Sequence, residues 1–264
     1  MILGILVTYN PNISELSRNI KSIYIQVDKL IIFDNSSKNL DEIRSICSEL
    51  NILLIESRIN IGLASAYNFV LKNHLNGFDF YITFDQDTFI CDNLIRSMLS
   101  FFELDKSIRI IAPSFEIKKN NLKKPYIFKD AVIQSATIFK SSLITEVGYF
   151  DDGFFIDSVD FEYCLKVRSR NFKIIQLNNF FIDHQLGESK SFLNIRFNSH
   201  NKIRNYYIAR NHIILSKRYF LKFPLFIVKK NIFFTIHFLK LLFLDRDWTK
   251  INYFIRGLFH YKIN

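Results

Sequence analysis

The segment FYITFDQD, residues 80–87, joins an apolar run to two acidic side chains and decides the fold class. Its first five residues predict a buried β-strand, and Asp85 and Asp87 follow at the carboxyl end of that strand. Because residues two apart on extended backbone point to the same side, the two carboxylates are expected to face one space. Mg²⁺ and Mn²⁺ prefer such oxygen ligands, so the pair is a candidate metal site, although a lone Asp-x-Asp also arises by chance or as a helix cap.

Three similar apolar runs precede this segment, at residues 2–7, 30–33 and 52–55. Each leads into a polar cluster and then a stretch with helical spacing; the clusters are Thr8-Tyr9-Asn10, Asp34-Asn35-Ser36-Ser37 and Arg58-Ile59-Asn60-Ile61-Gly62. This alternation predicts β-α-β units and a parallel sheet buried on both faces. In such sheets ligands bind beyond the carboxyl ends of the strands. Turn and capping chemistry accounts for any one cluster, but four in succession favour a nucleotide-sized site.

The pattern becomes mixed beyond residue 105, with strands predicted at residues 108–112, 132–139 and 172–177 and a polar loop at 118–124. A chain of 264 residues has room for one full-sized catalytic domain with a modest appendage. Its 29 Phe, against seven Gly and four Pro, exclude a disordered or fibrous protein. We expect residues 1–105 to bind the nucleotide. Residues 106–215 are expected to form the acceptor half of the same domain, which binds the second substrate.

Neither glycine-rich phosphate-binding motif, G-x-G-x-x-G or G-x-x-x-x-G-K-[ST], occurs in the sequence. The phosphates of a nucleotide are therefore expected to be held by a metal ion and by side chains. Around Gly62, the small residues Ala64 and Ala66 allow a ligand or another backbone to approach a helix start, or serve only to pack that helix. Arg58 either reaches a diphosphate or forms a surface ion pair.

A second acidic segment, FFIDSVDFEYCL, covers residues 154–165. On a helix Asp157 and Asp160 would share a face, whereas Glu162 would point elsewhere and pair with Lys166. One of these carboxylates is the natural base for removing a proton from an acceptor hydroxyl. The alternative is structural, with Asp157 as the helix N-cap and Asp160 as a first-turn acid favoured by the helix dipole.

Taken in order, these motifs resemble the inverting family 2 glycosyltransferases, which have the GT-A fold. The resemblance spans nearly the whole chain and includes the full pattern Asn60-x-Gly62-x-Ala64-x-Ala66-x-Asn68. The Asp-Gln-Asp-Thr motif, His184-x-Leu186-Gly187 and Arg204-x-Tyr206-Tyr207-x-x-Arg210-Asn211 are most similar to bacterial rhamnosyltransferases of O-antigen and related polysaccharide assembly. The resemblance implies a Rossmann-like mixed sheet flanked by helices, as in nucleotide-diphospho-sugar transferases, with a C-terminal helical extension.

The resemblance also implies an activity: transfer of L-rhamnose from dTDP-L-rhamnose to a saccharide acceptor with inversion, assisted by Mg²⁺ or Mn²⁺. A UDP- or GDP-hexose is the alternative donor. A nucleotidyltransferase that makes the activated sugar is a further alternative, and its release of pyrophosphate would distinguish it.

Site residues follow from the same resemblance. Asp160 is expected to be the catalytic base, with Asp157 in reserve, and His184 to join Asp85 and Asp87 at the metal, although an isolated histidine is more often structural. Arg204 and Arg210 are expected to meet the diphosphate or the acceptor. Nucleotide-sugar contacts are assigned to Thr8, Tyr9, Asn10, Asp34, Asn35, Arg58, Asn60, Gly62, Asn68, Asp85 and Gln86. Relatives usually carry Ser-Gly where this chain has Ser135-Ala136.

The basic charge is concentrated in the last quarter of the chain. After residue 200 there are 13 basic and two acidic residues, a net charge of +11, whereas residues 1–200 carry 22 basic and 23 acidic residues, a net charge of −1. Such asymmetry predicts contact with an anionic surface. Basic and aromatic residues also bind nucleic acid, but that function would leave the acidic clusters unexplained, so we expect no nucleic-acid partner.

The tail, residues 216–264, mixes large apolar residues with lysines and is too charged to span a bilayer. Pro224 is expected to start a helix, on which Lys229 and Lys240 fall on one side. We expect this helix, and the segment from Trp248 to Lys262, to lie in the interface of an anionic membrane; packing against the catalytic domain is the alternative. A polyprenyl-diphosphate-linked acceptor would account for membrane contact.

Compartment is predicted from the cysteines and the first residues of the sequence. Cys47, Cys91 and Cys164 form neither a paired-thiol nor a zinc motif, which fits a reducing compartment. The N-terminal apolar run is short and lacks a basic leader. We therefore expect a cytoplasmic protein, peripheral at the inner face of the bacterial cytoplasmic membrane.

Overall fold

The computed structural model describes residues 1–114, 124–181, 188–192 and 195–261, and the side chains of residues 181–199 are outside that description. Eight strands form one mixed sheet in the order β3-β2-β1-β4-β7-β5-β8-β6, and β9 and β10 form a separate antiparallel pair. The strands are β1 Ile2–Thr8, β2 Lys29–Asp34, β3 Leu53–Glu56, β4 Phe80–Asp85, β5 Ile108–Ser114, β6 Tyr126–Lys129, β7 Thr137–Lys140, β8 Lys173–Phe181, β9 Glu188–Phe192 and β10 Ile195–Ser199. The helices are α1 Ile13–Tyr24, α2 Leu40–Glu49, α3 Leu63–His74, α4 Leu94–Leu99, α5 Leu143–Glu146, α6 Val159–Arg168, α7 Lys202–Tyr219, α8 Pro224–Lys240 and α9 Trp248–Phe259, with a 3₁₀ turn at Ser100–Glu103 and a π turn at Leu241–Asp245.

The first four strands run parallel, as the repeated apolar runs predict. Strand β1 lies between β2 and β4 and is parallel to both. Its side chains alternate between two cores: Leu3, Ile5 and Val7 face the core that includes α3 and α6, and Leu6 faces the core that includes α1, α2 and α4. Because both faces of the sheet are covered, the side chains on both sides of each strand are apolar. The strands therefore appear in the sequence as continuous hydrophobic runs.

The second half departs from the predicted strands in two places. The run predicted as a strand at residues 132–139 pairs only over Thr137–Lys140, as β7, antiparallel to β4 and β5. The residues before it, up to Ala136, form a largely buried loop. The hydroxyl of Thr83 on β4 donates to the carbonyl of Gln134 in this loop at 2.8 Å, and Ala136 has a φ of 53°. Strand β6 was not anticipated from the sequence. The predicted polar loop at 118–124 lies almost wholly outside the described residues.

Helices α7, α8 and α9 follow the sheet domain, and α7 crosses the boundary predicted at residue 215. Helix α8 begins at Pro224, as predicted. Helix α9 packs closely on α7 because Gly257 has no side chain: a Cβ there would overlap the carbonyl oxygen of Tyr206. Ile227 of α8 is fully buried in the main core. One side of the C-terminal helices therefore packs on the catalytic domain.

Among the described helices, none combines the length and the apolar composition that crossing a bilayer requires.

Candidate active site

The carboxyl edge of the parallel strands brings the predicted acidic residues together. In the register of the sheet, Thr8 lies beside Asp34 on β2, and Val7 lies beside Asp85 on β4. Asp34 and Asp85 therefore flank the end of β1 from opposite sides, and the nucleotide-sized crevice predicted from the polar clusters would open at this edge.

Asp34 is fully buried and organises this edge from within. Its carboxylate accepts a hydrogen bond from the hydroxyl of Thr8 at 2.8 Å and another from the backbone N–H of Ser37 at 2.8 Å. The backbone N–H of Asn10 donates to the Ser37 hydroxyl at 2.8 Å, so the β1 and β2 loops are joined. Tyr9 is 51% exposed at this edge of the sheet.

Gln86, between the two candidate metal ligands, ties the β4 loop to β1. Its side-chain oxygen accepts from the backbone N–H of Tyr9 at 2.8 Å, and its backbone carbonyl accepts from the side chain of Asn19 at 3.1 Å. Asp85 and Asp87 are half-buried on either side of it. This bonding fixes the direction in which the loop leaves the sheet.

Asp85 and Asp87 supply carboxylate oxygens, the donor atoms that a divalent cation such as Mg²⁺ prefers. Within the described part of the chain, no group of three His, Cys, Asp or Glu side chains is placed to hold a metal. Two carboxylates with substrate phosphates are the usual protein contribution to a Mg²⁺ site. The third predicted ligand, His184, lies outside the described residues.

Side chains hold the backbone of the loop before α3, and we call this set of hydrogen bonds the Asn35 clamp. The side chain of Asn35 accepts from the N–H of Ile61 at 2.8 Å and donates to the carbonyl of Gly62 at 3.2 Å. Asn60 accepts from the N–H of Gly62 at 2.9 Å. The N–H of Leu63 donates to the carbonyl of Phe155 at 2.7 Å, which joins the two halves of the sheet domain, residues 1–105 and 106–215.

Asn68 makes a second link between the halves. It is buried, accepts from the N–H of Phe150 at 3.0 Å and donates to the Phe150 carbonyl at 2.9 Å and to Asp152 at 2.7 Å. Asn35, Asn60 and Asn68 therefore use their amides on the protein itself. Arg58 is exposed beside this loop, and the Ser36 hydroxyl donates to its carbonyl at 3.2 Å.

Asp157 is placed by the loop before α6, not by the helix. The helix begins at Val159, with Ser158 as its N-cap, and both Asp157 and Ser158 have left-handed backbone, with φ of 61° and 62°. The prediction that Asp157 and Asp160 share one helical face is therefore wrong, as is the alternative of Asp157 as N-cap. Arg204 on α7 pairs with the Asp157 carboxylate at 3.1 Å.

Arg210, the other arginine predicted to meet the diphosphate or the acceptor, binds the loop before α6, residues 151–158. It donates to the carbonyl of Gly153 at 2.8 Å and to the side chain of Asn211 at 2.9 Å. The Asn211 amide donates in turn to the carbonyls of Ile156 at 2.8 Å and Asp157 at 2.9 Å. The motif from Arg204 to Asn211 lies on α7, and its side chains thus hold the loop before α6 in place.

Asp160 sits in the first turn of α6, where its carboxylate accepts from the N–H of Phe161 at 2.8 Å. Burial raises the pKa of Asp160 to about 6; Lys230 opposes the rise, and Asp85 and Asp157 add to it. A carboxyl group with a pKa near 6 is ionised at neutral pH and still basic enough to accept a proton. Burial also raises the pKa of Asp157, against the influence of Arg204.

The hydrogen bonds of Glu162 go to α7 and not to the predicted partner Lys166, whose charge acts on Glu162 only through space. The buried carboxylate accepts from Arg218 at 2.9 Å and from the hydroxyl of Tyr219 at 2.8 Å, both on α7. Lys166 donates to the carbonyl of Tyr149 at 2.7 Å instead. Glu162 therefore joins α6 to the C-terminal helices.

Tyr67 of α3 is a site residue that the sequence reasoning missed. Its hydroxyl is buried without a hydrogen-bond partner among the described residues. Burial raises the pKa of Tyr67, and the negative charges of Asp85 and Asp160 add to the rise. Its place in the Ala-rich helix start was the only signal, and aromatic residues there are usually core.

Comparison with known proteins agrees with this architecture. The family model described as Glycosyl transferase family 2 matches residues 5–158. The chain is 27% identical over 239 residues to dTDP-rhamnosyl transferase RfbF of Shigella flexneri, covering 82% of this chain and 80% of that one. The mannosyltransferase PcManGT of Pyrobaculum calidifontis, solved with GDP-Man and Mn²⁺, superposes with a TM-score of 0.64 at 13% identity, over 98% of this chain and 86% of that one.

A similar fold is also found in GalNAc-T7, solved with UDP, GalNAc and Mn²⁺. The TM-score is 0.61 at 13% identity, over 82% of this chain and 47% of that one, so the chain spans about half the length of that protein. These structures share the mixed sheet with flanking helices. The family model covers more than half of the sequence, and this chain belongs to glycosyl transferase family 2, as a hexosyltransferase with the GT-A fold.

Proposed function

We propose that the protein transfers L-rhamnose from dTDP-L-rhamnose, with inversion, to a saccharide acceptor linked to polyprenyl diphosphate, in the assembly of a bacterial surface polysaccharide such as O-antigen. The observations that support the proposal are the position of Asp85 at the carboxyl edge of the sheet and the electrostatic influence of both Asp85 and Asp160 on one buried tyrosine, Tyr67. One carboxylate comes from the nucleotide half and the other from the acceptor half. The similarity to RfbF supports the choice of donor.

In this proposal the donor nucleotide lies along the carboxyl edge of the sheet. Tyr9 and Asn10 are exposed there and contact the nucleoside, and Arg58 lies at the side of the crevice. Thr8, Asp34, Asn35, Asn60, Gly62, Asn68 and Gln86 hold the loops in place through the bonds described above. Asp85 and Asp87, with His184, hold Mg²⁺ or Mn²⁺, which when bound supplies charge stabilisation to the departing diphosphate.

Asp160 removes the proton of the acceptor hydroxyl as its oxygen attacks the anomeric carbon. In a single displacement the nucleophile approaches opposite the leaving group, so the base must lie across the site from the metal ligands. Asp160 is on α6 and Asp85 is at the end of β4, so the base and the metal ligand come from separate elements of the chain. Asp157, paired with Arg204, stays in reserve for this role.

The test is a panel of donors, dTDP-L-rhamnose, UDP-glucose and GDP-mannose, each with Mn²⁺, with Mg²⁺ and with EDTA. We expect metal-dependent release of dTDP from the first donor. Release of UDP or GDP alone would reject rhamnose and keep glycosyl transfer. Release of pyrophosphate from a sugar phosphate and a nucleoside triphosphate would identify a nucleotidyltransferase instead.

We also propose that α8 rests on the anionic inner face of the cytoplasmic membrane. The side of α8 away from the domain exposes large apolar residues that recur at helical spacing, among them Leu225 at 78%, Ile232 at 55% and Phe233 at 68% exposed. Lys229 and Lys240 are exposed on the same helix. An exposed apolar strip with lysines fits an interfacial helix on anionic lipid.

Vesicle flotation tests membrane binding. The wild-type protein should float with vesicles that contain phosphatidylglycerol, and Phe233→Glu should reduce the bound fraction. The matched control is Ile25→Glu, because Ile25 is 71% exposed but lies at the end of α1. Equal binding of the two variants would reject α8 as the membrane contact.

The division of the chain follows from these assignments. Residues 1–105 bind the nucleotide sugar, residues 106–215 receive the acceptor, and residues 216–264 form the membrane-facing tail. Helix α7 connects the last two regions, because it extends from Lys202 to Tyr219.

A further inference from the structure

A groove between α7 and α9 has no part in the active site described above. Its volume is about 240 Å³, smaller than the roughly 300–1,000 Å³ of pockets that enclose a whole drug-sized ligand. Six side chains line it: Ile203, Tyr206, Tyr207, Tyr253, Arg256 and His260. No acidic side chain is among these described lining residues. Three phenol rings, an imidazole and a guanidinium suit a small polar group of negative charge.

Two cations lie over one ring of this groove. The Nζ of Lys202 is 5.4 Å from the centroid of the Tyr253 ring, and the guanidinium carbon of Arg256 is 5.7 Å from the same centroid. Both side chains are exposed, and neither forms an ion pair with another residue that the structure describes. Two cations held beside one ring with no carboxylate between them offer a binding place to an anion, and the guanidinium fork matches phosphate oxygens.

The polar wall of the groove is set by close packing of its two helices. The hydroxyl of Tyr206 lies 3.4 Å from Nδ1 of His260, and the two rings meet edge-to-face at 5.9 Å. Gly257 permits this approach, because a Cβ there would overlap the carbonyl oxygen of Tyr206. The hydroxyl and the imidazole are therefore held at fixed positions beside the two cations.

One side of the groove adjoins the loop before α6. The ring of Tyr207 stacks on the ring of Phe155 at 4.9 Å, with 15° between the ring planes. Arg204, one turn earlier on α7, pairs with Asp157 of the same loop at 3.1 Å. A ligand in the groove would contact Tyr207, and Tyr207 rests on the loop that leads to the proposed base, Asp160.

The other side of the groove meets an exposed apolar stripe of α9. Trp248, Ile255 and Phe259 are exposed, and their spacing of seven and then four residues places them on one face of the helix. The residues of α9 that line the groove occupy the adjacent face. Exposed Trp and Phe beside tyrosines and basic groups are typical of a helix at a membrane interface, where the basic groups lie at the level of the lipid phosphates.

We propose that this groove binds the diphosphate of the lipid-linked acceptor. The inference rests on the proposed acceptor, a saccharide carried on polyprenyl diphosphate. Arg256 and Lys202 pair with the diphosphate oxygens, and the Tyr206 hydroxyl and His260 form hydrogen bonds with them. The isoprenoid chain then leaves along the apolar stripe of α9 into the bilayer, and the saccharide extends past Tyr207 toward the active site.

Vesicle flotation of the full chain tests the inference without donor or transfer. Three sets of phosphatidylcholine vesicles contain polyprenyl diphosphate, polyprenol, or phosphatidylglycerol at the same total charge as the first set. EDTA is present throughout, so that a metal ion at Asp85 and Asp87 cannot hold the diphosphate. The wild-type protein should bind the diphosphate vesicles about tenfold more tightly than either of the other sets, because charge-assisted hydrogen bonds are lost without the diphosphate.

Arg256→Gln should remove this preference, and Lys202→Gln gives the same test at the second cation. Both residues are exposed, and circular dichroism checks that each variant keeps the fold. The matched control is Lys229→Gln, at an exposed lysine of α8 away from the groove, which should keep the preference.

Two results would overturn the inference. One is equal binding of the wild-type protein to diphosphate vesicles and to either other set, since polyprenol then identifies the chain, and phosphatidylglycerol the general charge, as what is recognised. The other is a full preference for diphosphate in both Arg256→Gln and Lys202→Gln. The donor panel tests the proposed transfer separately, because flotation contains no nucleotide sugar and its result does not depend on rhamnose.

Discussion

Replacing Gly62 by alanine tests the clamp that joins the two halves of the site. Gly62 has a φ of 85°, and a Cβ built on it would lie 2.6 Å from Cδ2, 2.7 Å from the carbonyl oxygen and 2.9 Å from Cγ of Phe155. The carbonyl cannot move away freely, because it accepts the hydrogen bond from the N–H of Leu63 at 2.7 Å. Both the backbone conformation and the space therefore oppose a side chain.

Gly77 is a control for a positive φ without crowding, whereas Gly62 also has a ψ of 168°, a combination that essentially only glycine adopts. Gly77 has a φ of 87°, and nothing lies within 4 Å of a Cβ built there. Left-handed backbone costs a non-glycine residue about 1–2 kcal/mol, partly offset by the lower entropy of the unfolded alanine chain. Gly77→Ala should thus lower the free energy of unfolding by about 1 kcal/mol. Gly62→Ala should lose about 1–3 kcal/mol more, the usual cost of overpacking.

Urea denaturation followed by circular dichroism measures both free energies, provided that the slopes of the two variants match the wild-type slope. We also expect Gly62→Ala to raise the KM for the donor, because the Asn35 clamp holds this loop beside the nucleotide edge. Equal destabilisation of the two variants would show that Phe155 gives way without cost. The claim that this contact rigidly links the halves would then be refuted.

Three further outcomes are expected. Asp160→Asn should lower kcat by a factor of about 10²–10⁴ and leave the affinity for the donor intact. The same variant should raise the melting temperature at pH 8. Folding raises the pKa of the Asp160 carboxyl, so its contribution to stability is lost as the pH rises through about 6. Asp85→Asn should lower Mn²⁺-dependent activity by at least about 100-fold. Asp92→Asn, at an exposed position after the same strand, should leave this activity unchanged. Comparable losses in the two variants would contradict the metal assignment. Gly257→Ala should destabilise the protein by about 1–3 kcal/mol through its overlap with Tyr206, and thermal unfolding without a shift would contradict the close packing of α7 and α9.

The sequence was informative where one local pattern repeats. Apolar runs at residues 2–7, 30–33, 52–55 and 80–84 predicted four parallel strands, and the strands appear within a residue or two of those limits. Parallel strands connected by helices end at one edge, so polar clusters that are distant in sequence had to converge. The same reasoning weakened beyond residue 105, because antiparallel and short strands such as β6 and β7 leave no comparable repeat.

The site was only partly readable for a related reason. Three polar residues predicted to contact the ligand form hydrogen bonds with the protein instead: Asp34, Asn35 and Asn68. Residue type alone does not distinguish a side chain that binds a ligand from one that holds a loop. Tyr67 had only its place at an Ala-rich helix start as a signal, and Lys230 had no local signal. A tyrosine beside alanines reads as core, and one lysine of a basic tail reads as surface.

The sequence by itself determined the α/β class, the carboxyl edge at which the site forms and the Asp85-Gln86-Asp87 motif, because backbone periodicity and strand direction are local properties. Tertiary structure alone decided that β1 separates Asp34 from Asp85, that Asp85 and Asp160 both influence the buried Tyr67, and that α8 returns Lys230 to the catalytic domain. Periodicity reports whether a side chain is buried, but its neighbours depend on how distant elements pack. The electrostatic environment of Asp160, which sets its pKa, is a property of that packing.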